Sequence, residues 1–340
     1  MREIGVGLIG YGLGGQAFHA PYVEVTPGLK LRAIVSRAPA KVHAQRPFVH
    51  VLPTVEALLA ESGIDLVIVS SPDALHAQHA MAALAAGKHV VVDKPFAVNL
   101  ADAREVAKTA NASHQLLTVF HNRRWDADFL TLRRLVEGGH LGRIVHFESH
   151  FDRWTPEPRT VWKEAREGGS WLDLGPHLVD QALCLLGRPQ SVSANFARMR
   201  EAAPATDYFH VVLSYPGCKA ILHSSKLARD HALRFAVHGT EGSWIKTGFD
   251  VQEQAVRNGK LPASPDWGHD PIEGRLTRAS SDISTSVLNE RGDYRIFWRS
   301  LVAAIRGEAP NPVPVNEALA VMEVLDAGLT SGRKGQVIAM

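Results

Sequence analysis

Five short apolar runs punctuate the first 120 residues, and a glycine-rich turn follows the first of them directly. The runs are Ile4–Ile9, Leu31–Val35, Leu66–Val69, His89–Val92 and Leu116–Phe120, rich in Val and Ile and without polar alternation. Apolarity unbroken over that length predicts strands buried on both faces, as in a parallel sheet. Helical stretches lie between them, including Ala74–Ala86, ended by Gly87, and Leu100–Ala110, preceded by Asn99 as N-cap. A β-α-β-α rhythm of this kind folds as an open, doubly wound sheet of the α/β class.

Past His121 the rhythm changes. A helix over Asp126–Glu137 closes at Gly138-Gly139, a strand follows at Ile144–Phe151, and a second helix spans Leu172–Leu186. Alternating runs then succeed one another at Ser191–Met199, Phe209–Tyr215, Ala220–Lys226 and Leu233–His238. Strands in succession predict an α+β domain with a large, mostly antiparallel sheet. Residues 247–290, polar and rich in Gly and Pro, read as a long loop or lid, and two helices near Tyr294–Arg306 and Asn316–Thr330 follow. The expected boundaries are 1–121 for the first domain and 122–340 for the second. At ~150 residues per domain, 340 residues suit two.

Composition narrows the function classes. The 37 Lys+Arg against 35 Asp+Glu leave a net charge of +2, without the basic excess of a nucleic-acid binder. Cys184 and Cys218 are the only cysteines, which excludes a disulfide framework and a cysteine-based zinc cluster. Cys184, inside Ala-Leu-Cys-Leu-Leu, is expected in the core. Among 17 histidines there is no HExxH, and His146 and His150 share one face of a strand with no third ligand nearby in sequence, so no metal is expected. No window offers ~20 consecutive apolar residues. The N-terminus lacks the apolar length of a signal peptide, and a cytoplasmic location is expected.

The turn Gly10-Tyr11-Gly12-Leu13-Gly14-Gly15 fits G-x-G-x-x-G between a strand and a helix, the context that makes the pattern a dinucleotide-binding signal. Gly10 permits the tight turn, Gly12 the approach of a pyrophosphate and Gly15 close helix–strand packing. An NAD site places an acidic residue at the end of the second strand. This chain reads Ile34-Val35-Ser36-Arg37, with Lys41 one helical turn on. No carboxylate stands there to repel a 2′-phosphate, and Arg37 suits one, so NADP is expected rather than NAD.

Candidate chemistry comes next. Lys94 follows the strand His89–Val92 at the sheet edge where ligands of such folds bind, and the X-Pro bond to Pro95 is open to a cis form. Asp173 and His177 lie four apart and share one face of a helix. The early glycines Gly168 and Gly169, unusual in a structural helix, predict a backbone packed closely against a neighbour such as a nicotinamide ring.

The motifs Gly10-x-Gly12-x-x-Gly15, Ser70-Ser71-Pro72-Asp73-x-x-His76, Gly87-Lys88-His89-Val90, Asp93-Lys94-Pro95 and Asp173-x-Gly175-x-His177 occur in the order of the Gfo/Idh/MocA oxidoreductases. The chain resembles that family over essentially its whole length. The stretches Phe120–Asp126 and His146–Arg153 resemble the branch that contains NADP-dependent scyllo-inositol dehydrogenases. Asp93 stands where the family usually has Glu, and Ser170 where it has a third glycine. The resemblance implies a Rossmann-type first domain. It places Lys94, Asp173 and His177 in catalysis. It also places Leu13, Gly14, Ser70, Ser71, Pro72, His76, Asp93, Trp162 and Lys163 beside the cofactor.

Together these readings predict an NADP-dependent oxidoreductase that interconverts a secondary alcohol and a ketone on a cyclic polyol or sugar, with scyllo-inositol and an inosose as the first choice. His177 suits acid–base work near neutrality, Asp173 bonds the sugar or holds charge near the imidazolium, and Lys94 bonds the reacting oxygen. Asn122, Arg124, Arg153 and Trp154 are expected to join Lys94, Asp173 and His177 around the substrate. An NAD-dependent inositol or glucose dehydrogenase and a non-catalytic NADP-sensing regulator are the alternatives. The expected partners are a small-molecule polyol or sugar and further copies of the chain, as a homodimer or homotetramer, with no nucleic acid and no membrane.

Overall fold

The computed structural model describes residues 2–158, 162–166, 168–230, 232–281 and 283–340; the side chains of Trp162 and Lys163 lie outside the described set. Its packing separates two compact units. The first contains Met1–Asn122, Gln252–Trp267 and Asp293–Met322, and the second Arg123–Val251, Gly268–Gly292 and Glu323–Met340.

In the first unit, β1 (Ile4–Ile9), β2 (Leu29–Val35), β3 (His50–Leu52), β4 (Leu66–Val69), β5 (His89–Val92) and β6 (Leu117–Val119) form one parallel sheet in the order β3-β2-β1-β4-β5-β6. The order reverses between β1 and β4, which opens a crevice at the carboxyl edge beside the glycine turn. All five expected runs become strands, with β1 and β4 buried along their full length. Only β3 went unforeseen: three residues are too few to show a period. The Asn99 side chain accepts a hydrogen bond from Asp102 N at 2.8 Å, the expected cap. Distant chain protects the sheet's outer strand β6, where Thr118 Oγ1 donates to Val313 O at 3.0 Å and Asn311 Nδ2 donates to Leu117 O at 2.8 Å.

The second unit is built on nine strands. They are β7 (Ile144–His150), β8 (Ser191–Ala197), β9 (Tyr208–Tyr215), β10 (Cys218–Ser225), β11 (Leu233–Gly239), β12 (Gly242–Thr247), β13 (Gly274–Arg278), β14 (Ser284–Val287) and β15 (Ile338–Ala339). Their order is β14-β13-β12-β11-β7-β10-β9-β8-β15, antiparallel except for the parallel pair β7 and β10. One face buries Phe147, Phe209, Val211, Leu213, Ala220, Leu222 and Phe235. The other face carries His146, Glu148 and His150, which alternate with buried Phe147 and Ser149 along β7. Burial opposes a charge on His150, yet hydrogen bonds to Asp152 and Glu148 carry its pKa up to about 9.

Two expectations need correction. Residues 247–290 are not one long loop or lid: they contain a helix at Gln252–Arg257 and the strands β13 and β14. Strand β14 shows no apolar alternation because it is an edge strand whose first three residues are exposed, held by backbone pairing to β13. Trp267 is buried in the same stretch, with Nε1 donating to Gln252 Oε1 at 3.1 Å. Cys184 is exposed rather than in the core, while Cys218 is buried. An amphipathic helix buries one stripe only, and the last turn of Gly169–Leu186 turns Cys184 away from it. No helix among the described residues is long and apolar enough to cross a membrane.

A buried guanidinium ties three elements of this unit together. Arg234, on β11, donates from Nε to Asp128 Oδ2 at 3.0 Å, from Nη1 to Ser149 Oγ at 2.7 Å and from Nη2 to Gln181 Oε1 at 2.7 Å. These partners belong to the helix Ala127–Glu137, to β7 and to the helix Gly169–Leu186. Arg234→Met removes the cation and deprives the buried Asp128 side chain of that partner, so stability should fall by about 3–5 kcal/mol. Urea unfolding followed by tryptophan fluorescence measures this, and a loss below about 1 kcal/mol would show that the network does not organise the unit.

Candidate active site

The first unit gathers its candidate residues at the carboxyl ends of β1, β2, β4, β5 and β6. Gly10 turns with φ +96°, and a Cβ there would stand 2.5 Å from Ser70 O. A Cβ on Gly15 would stand 2.3 Å from Gly10 O, so the helix start packs against the turn with no room for a side chain. A Cβ on Gly14 would meet Ser70 Oγ at 2.5 Å and Asp93 Oδ2 at 2.8 Å. Gly12 alone faces open space, with nothing within 4 Å of a Cβ placed there. Three glycines therefore serve close packing, and the fourth leaves the front of the turn clear for a phosphate.

Beneath the turn, Asp93 links three elements. Its Oδ2 accepts from Ser70 Oγ and from His19 Nε2, both at 3.2 Å, and its Oδ1 accepts from Lys94 N at 2.8 Å. An ionised carboxylate only accepts, so Nε2 must carry the proton of His19. His19 is fully buried against Phe120, with ring centroids 4.7 Å apart, and against Trp298 at 5.8 Å. Burial alone would raise the Asp93 carboxyl, but the hydrogen bond and charge of His19, joined by His76 and Lys94, hold it well below the usual carboxylate range. His76 Nδ1 lies 2.8 Å from Pro95 O and its Nε2 2.9 Å from Ser71 O, which ties the loops after β4 and β5 to each other on either side of Lys94. The Lys94–Pro95 bond is cis.

At the end of β2, Ser36 Oγ accepts from Ala38 N at 3.1 Å. Ser36 and Arg37 line a cavity of about 350 Å³ with Pro39, Val51, Leu52 and Pro53, and none of the six is acidic. Lys41 follows on the helix Pro39–His43.

In the second unit, Gly168 at φ +78° and Gly169 at φ +47° start the helix Gly169–Leu186. The nicotinamide expected against these glycines is not needed to explain them. A Cβ on Gly169 would lie 2.1 Å from Thr206 O, and Ser170 N donates to that same carbonyl at 2.8 Å. One turn later come Asp173, half-buried with Arg166 Nη2 at 3.4 Å from Oδ1, and His177, buried with its ring centroid 6.2 Å from Phe151. Arg153 lays its guanidinium 4.0 Å over the Phe249 ring, and Trp154 beside it is 40% exposed, available to a ligand. Asn122 is buried at the start of a short helical turn. Arg124 on the same turn is committed to Asp180, with Nη2 donating to Oδ1 at 2.6 Å and Nε to Oδ2 at 2.9 Å.

Sequence reasoning passed over two residues of weight. His19 lies 74 positions from Asp93, and no local spacing joins them. Lys226 did leave a signal: it continues the inward phase of β10 set by Cys218, Ala220, Leu222 and Ser224, where a strand of this kind carries apolar residues. Burial pushes its ammonium pKa down, against an opposing pull from Asp173.

Asp93 carries a pH dependence. The folded carboxyl is the stronger acid, so its ionised form stabilises the unit above the ordinary range near pH ~4 and the contribution drains away as pH falls below that. Asp93→Asn should lower stability at neutral pH by about 1.5–3 kcal/mol, the worth of hydrogen bonds to a charged group, and flatten the acid limb of the unfolding profile. Circular dichroism melts from neutral to acid pH measure both; an acid limb as steep as in the parent would contradict the assignment.

Comparison with known proteins supports the same architecture. Residues 4–121 match the family model of the oxidoreductase family, NAD-binding Rossmann fold, and residues 133–340 match that of its C-terminal alpha/beta domain. The oxidoreductase YdgJ of Escherichia coli is 44% identical over 335 residues, 97% of each chain. The scyllo-inositol 2-dehydrogenase (NADP(+)) IolW of Bacillus subtilis is 36% identical over 344 residues, 99% of this chain and 96% of the other. The solved structure of YPO2259 from Yersinia pestis superposes with a TM-score of 0.96 at 44% identity, covering 100% of this chain and 97% of that one. The clear space before Gly12 fits a nicotinamide dinucleotide. With both halves of its length matched to one set of models, the chain belongs to the Gfo/Idh/MocA family and is a nicotinamide-dependent oxidoreductase.

Proposed function

We propose that this protein is an NADP-dependent dehydrogenase/reductase of a cyclic polyol, with an inositol and its inosose as the substrate pair. The observation that carries the cofactor choice is the hollow at the end of β2, where Ser36 and Arg37 stand without a carboxylate. A planar guanidinium pairs with a 2′-phosphate through parallel hydrogen bonds, and an acidic residue there would repel it. The polyol reading is supported by the likeness to IolW and by a residue set rich in donors, acceptors and exposed ring surface, among them Arg153, Trp154, Asp173 and Lys226.

A nicotinamide dinucleotide held by the glycine turn, Ser36 and Arg37 would supply the hydride chemistry. His177 takes the hydroxyl proton in oxidation and returns it in reduction, and Asp173, one turn earlier, steadies the charge that His177 then holds. Lys94 donates a hydrogen bond to the reacting oxygen as it gains alkoxide character. Asp93, accepting from Lys94 N, and His76, bonded to Pro95 O, hold the backbone from which Lys94 projects. We extend the proposal to assembly: two or four copies associate, and a monomer mass by light scattering at micromolar concentration would remove that part.

Absorbance of reduced nicotinamide, followed with a panel of inositols and aldoses, tests the reading. Turnover of an inositol should be well above background with NADP+ and weak with NAD+. Arg37→Ala should raise the KM for NADP+ by about 10- to 100-fold, the equivalent of one charge-assisted contact, and leave that for NAD+ in place. Turnover with NAD+ alone would overturn the cofactor reading. His177→Ala should lower kcat by about 100- to 10,000-fold with NADPH binding retained. Tight NADPH binding without turnover of any substrate would replace the enzyme reading with that of a nucleotide sensor.

A further inference from the structure

The outer face of the nine-stranded sheet carries a cluster that the oxidoreductase chemistry does not use. Strand register places His210 of β9 opposite His223 of β10, and His223 opposite His150 of β7. The rings of His150 and His223 lie 4.7 Å apart between centroids, and those of His210 and His223 5.9 Å. Asp152, two residues past His150, reaches both of its neighbours: Oδ2 is 2.9 Å from His150 Nδ1, and Oδ1 is 3.0 Å from His223 Nδ1. One ligand atom from each of His150, Asp152 and His223 falls within 4.8 Å of the other two.

The two imidazole contacts differ in kind. His150 Nδ1 makes a regular hydrogen bond to the carboxylate. His223 Nδ1 is shielded from solvent and lies close to the Asp152 oxygen without making a regular hydrogen bond to it. A nitrogen and an oxygen at that separation suit two ligands of one ion. Nitrogen and oxygen ligands held ~2.0–2.2 Å from one ion stand roughly 3 Å from each other.

A supporting layer completes the pattern. His150 turns its other nitrogen, Nε2, to Glu148 Oε1 at 2.7 Å, and Glu148 Oε2 is 3.2 Å from His146 Nε2. Asp152 Oδ1 also accepts from Ser225 N at 2.7 Å. A carboxylate behind a ligating imidazole is the usual means of fixing ring direction and donor strength at a metal site.

We propose that His150, Asp152 and His223 bind one divalent transition-metal ion of the zinc, cobalt or nickel kind. Two imidazoles and one carboxylate form a borderline donor set that favours these ions over magnesium and calcium. Three protein ligands leave a position for water, next to His210. The proton shared between His150 and Asp152 leaves as the ion enters. The bound ion fastens the end of β7 to the end of β10, the strands that lead into Arg153 and Lys226. The sequence expectation of no metal weighed only histidines close together in the chain; the third ligand comes from another strand, 73 positions from His150, where spacing rules do not look.

The test is cobalt uptake by the full-length protein, stripped of metal by chelator and dialysed. Calorimetry and the visible absorption of bound Co2+ should report one ion per chain. His223→Ala should abolish that signal, and Glu148→Gln, which keeps all three ligands, should weaken binding by about 10- to 100-fold. Replacing exposed His269 by Ala should leave it unchanged. No stoichiometric uptake by the parent protein would overturn the proposal whatever the variants do. Uptake that survives His223→Ala, or that is as tight in Glu148→Gln as in the parent, would also overturn it, the first by placing the ion elsewhere and the second by removing the supporting layer.

Discussion

Close approach of bare backbone governs the first unit. The glycine turn after β1 must lie against the ends of β4 and β5, and Gly10 and Gly14 remove the side chains that would hold it off, while Gly15 lets the helix start close on the turn itself. That contact lets Ser70 reach Asp93, and Asp93 in turn receives His19 from the helix start and Lys94 N from its own loop. The turn, the two loops and the buried aromatic layer of Phe120 and Trp298 behave as one object. The carboxylate at its centre is expensive to bury unless several donors meet it, and here three do.

The second unit solves a comparable problem with cations. Arg234 is enclosed by the sheet and two helices, and each of its three donating nitrogens finds an oxygen on a different element. Gln181, which receives one of them, passes a further hydrogen bond to Arg123 O at 2.9 Å, directly before the residue that Asp180 grips. Position along the helix Gly169–Leu186 is set by this fan of contacts. Asp173 and His177 ride on the helix that these contacts hold.

How much of this was legible follows from range. The strands of the first unit announce themselves because each is a continuous apolar run buried on both faces, a purely local property. The glycine spacing, Asn99 as cap and the alternation of β7 are local too. What escaped was set by partners far away in sequence. Strands β13 and β14 take their conformation from a ladder begun at β12, not from their own polar residues. His19 is an ordinary buried histidine until Asp93 arrives from 74 positions away. Arg124 stands in sequence as a candidate substrate contact, and only the fold brings Asp180 to it.

The helix Gly169–Leu186 shows what remains once packing has been accounted for. Its composition is poor for a helix: two glycines within seven residues and Pro176 in the interior. Packing explains the glycines, since a Cβ on Gly169 would strike Thr206 O and one on Gly175 would lie 2.6 Å from the Trp171 ring. Pro176 lacks an N–H and so cannot donate to the carbonyl one turn earlier, at Leu172. Asp173 and His177 are polar choices on the same helix, one half-buried beside Arg166 and the other buried beside Phe151. Leu or Ala at either position would favour the helix and avoid the cost of removing a carboxylate and an imidazole from water. Both costs fall on one turn, beside a backbone fitted closely to its neighbours, which is the placement that the proposed acid–base roles of Asp173 and His177 require.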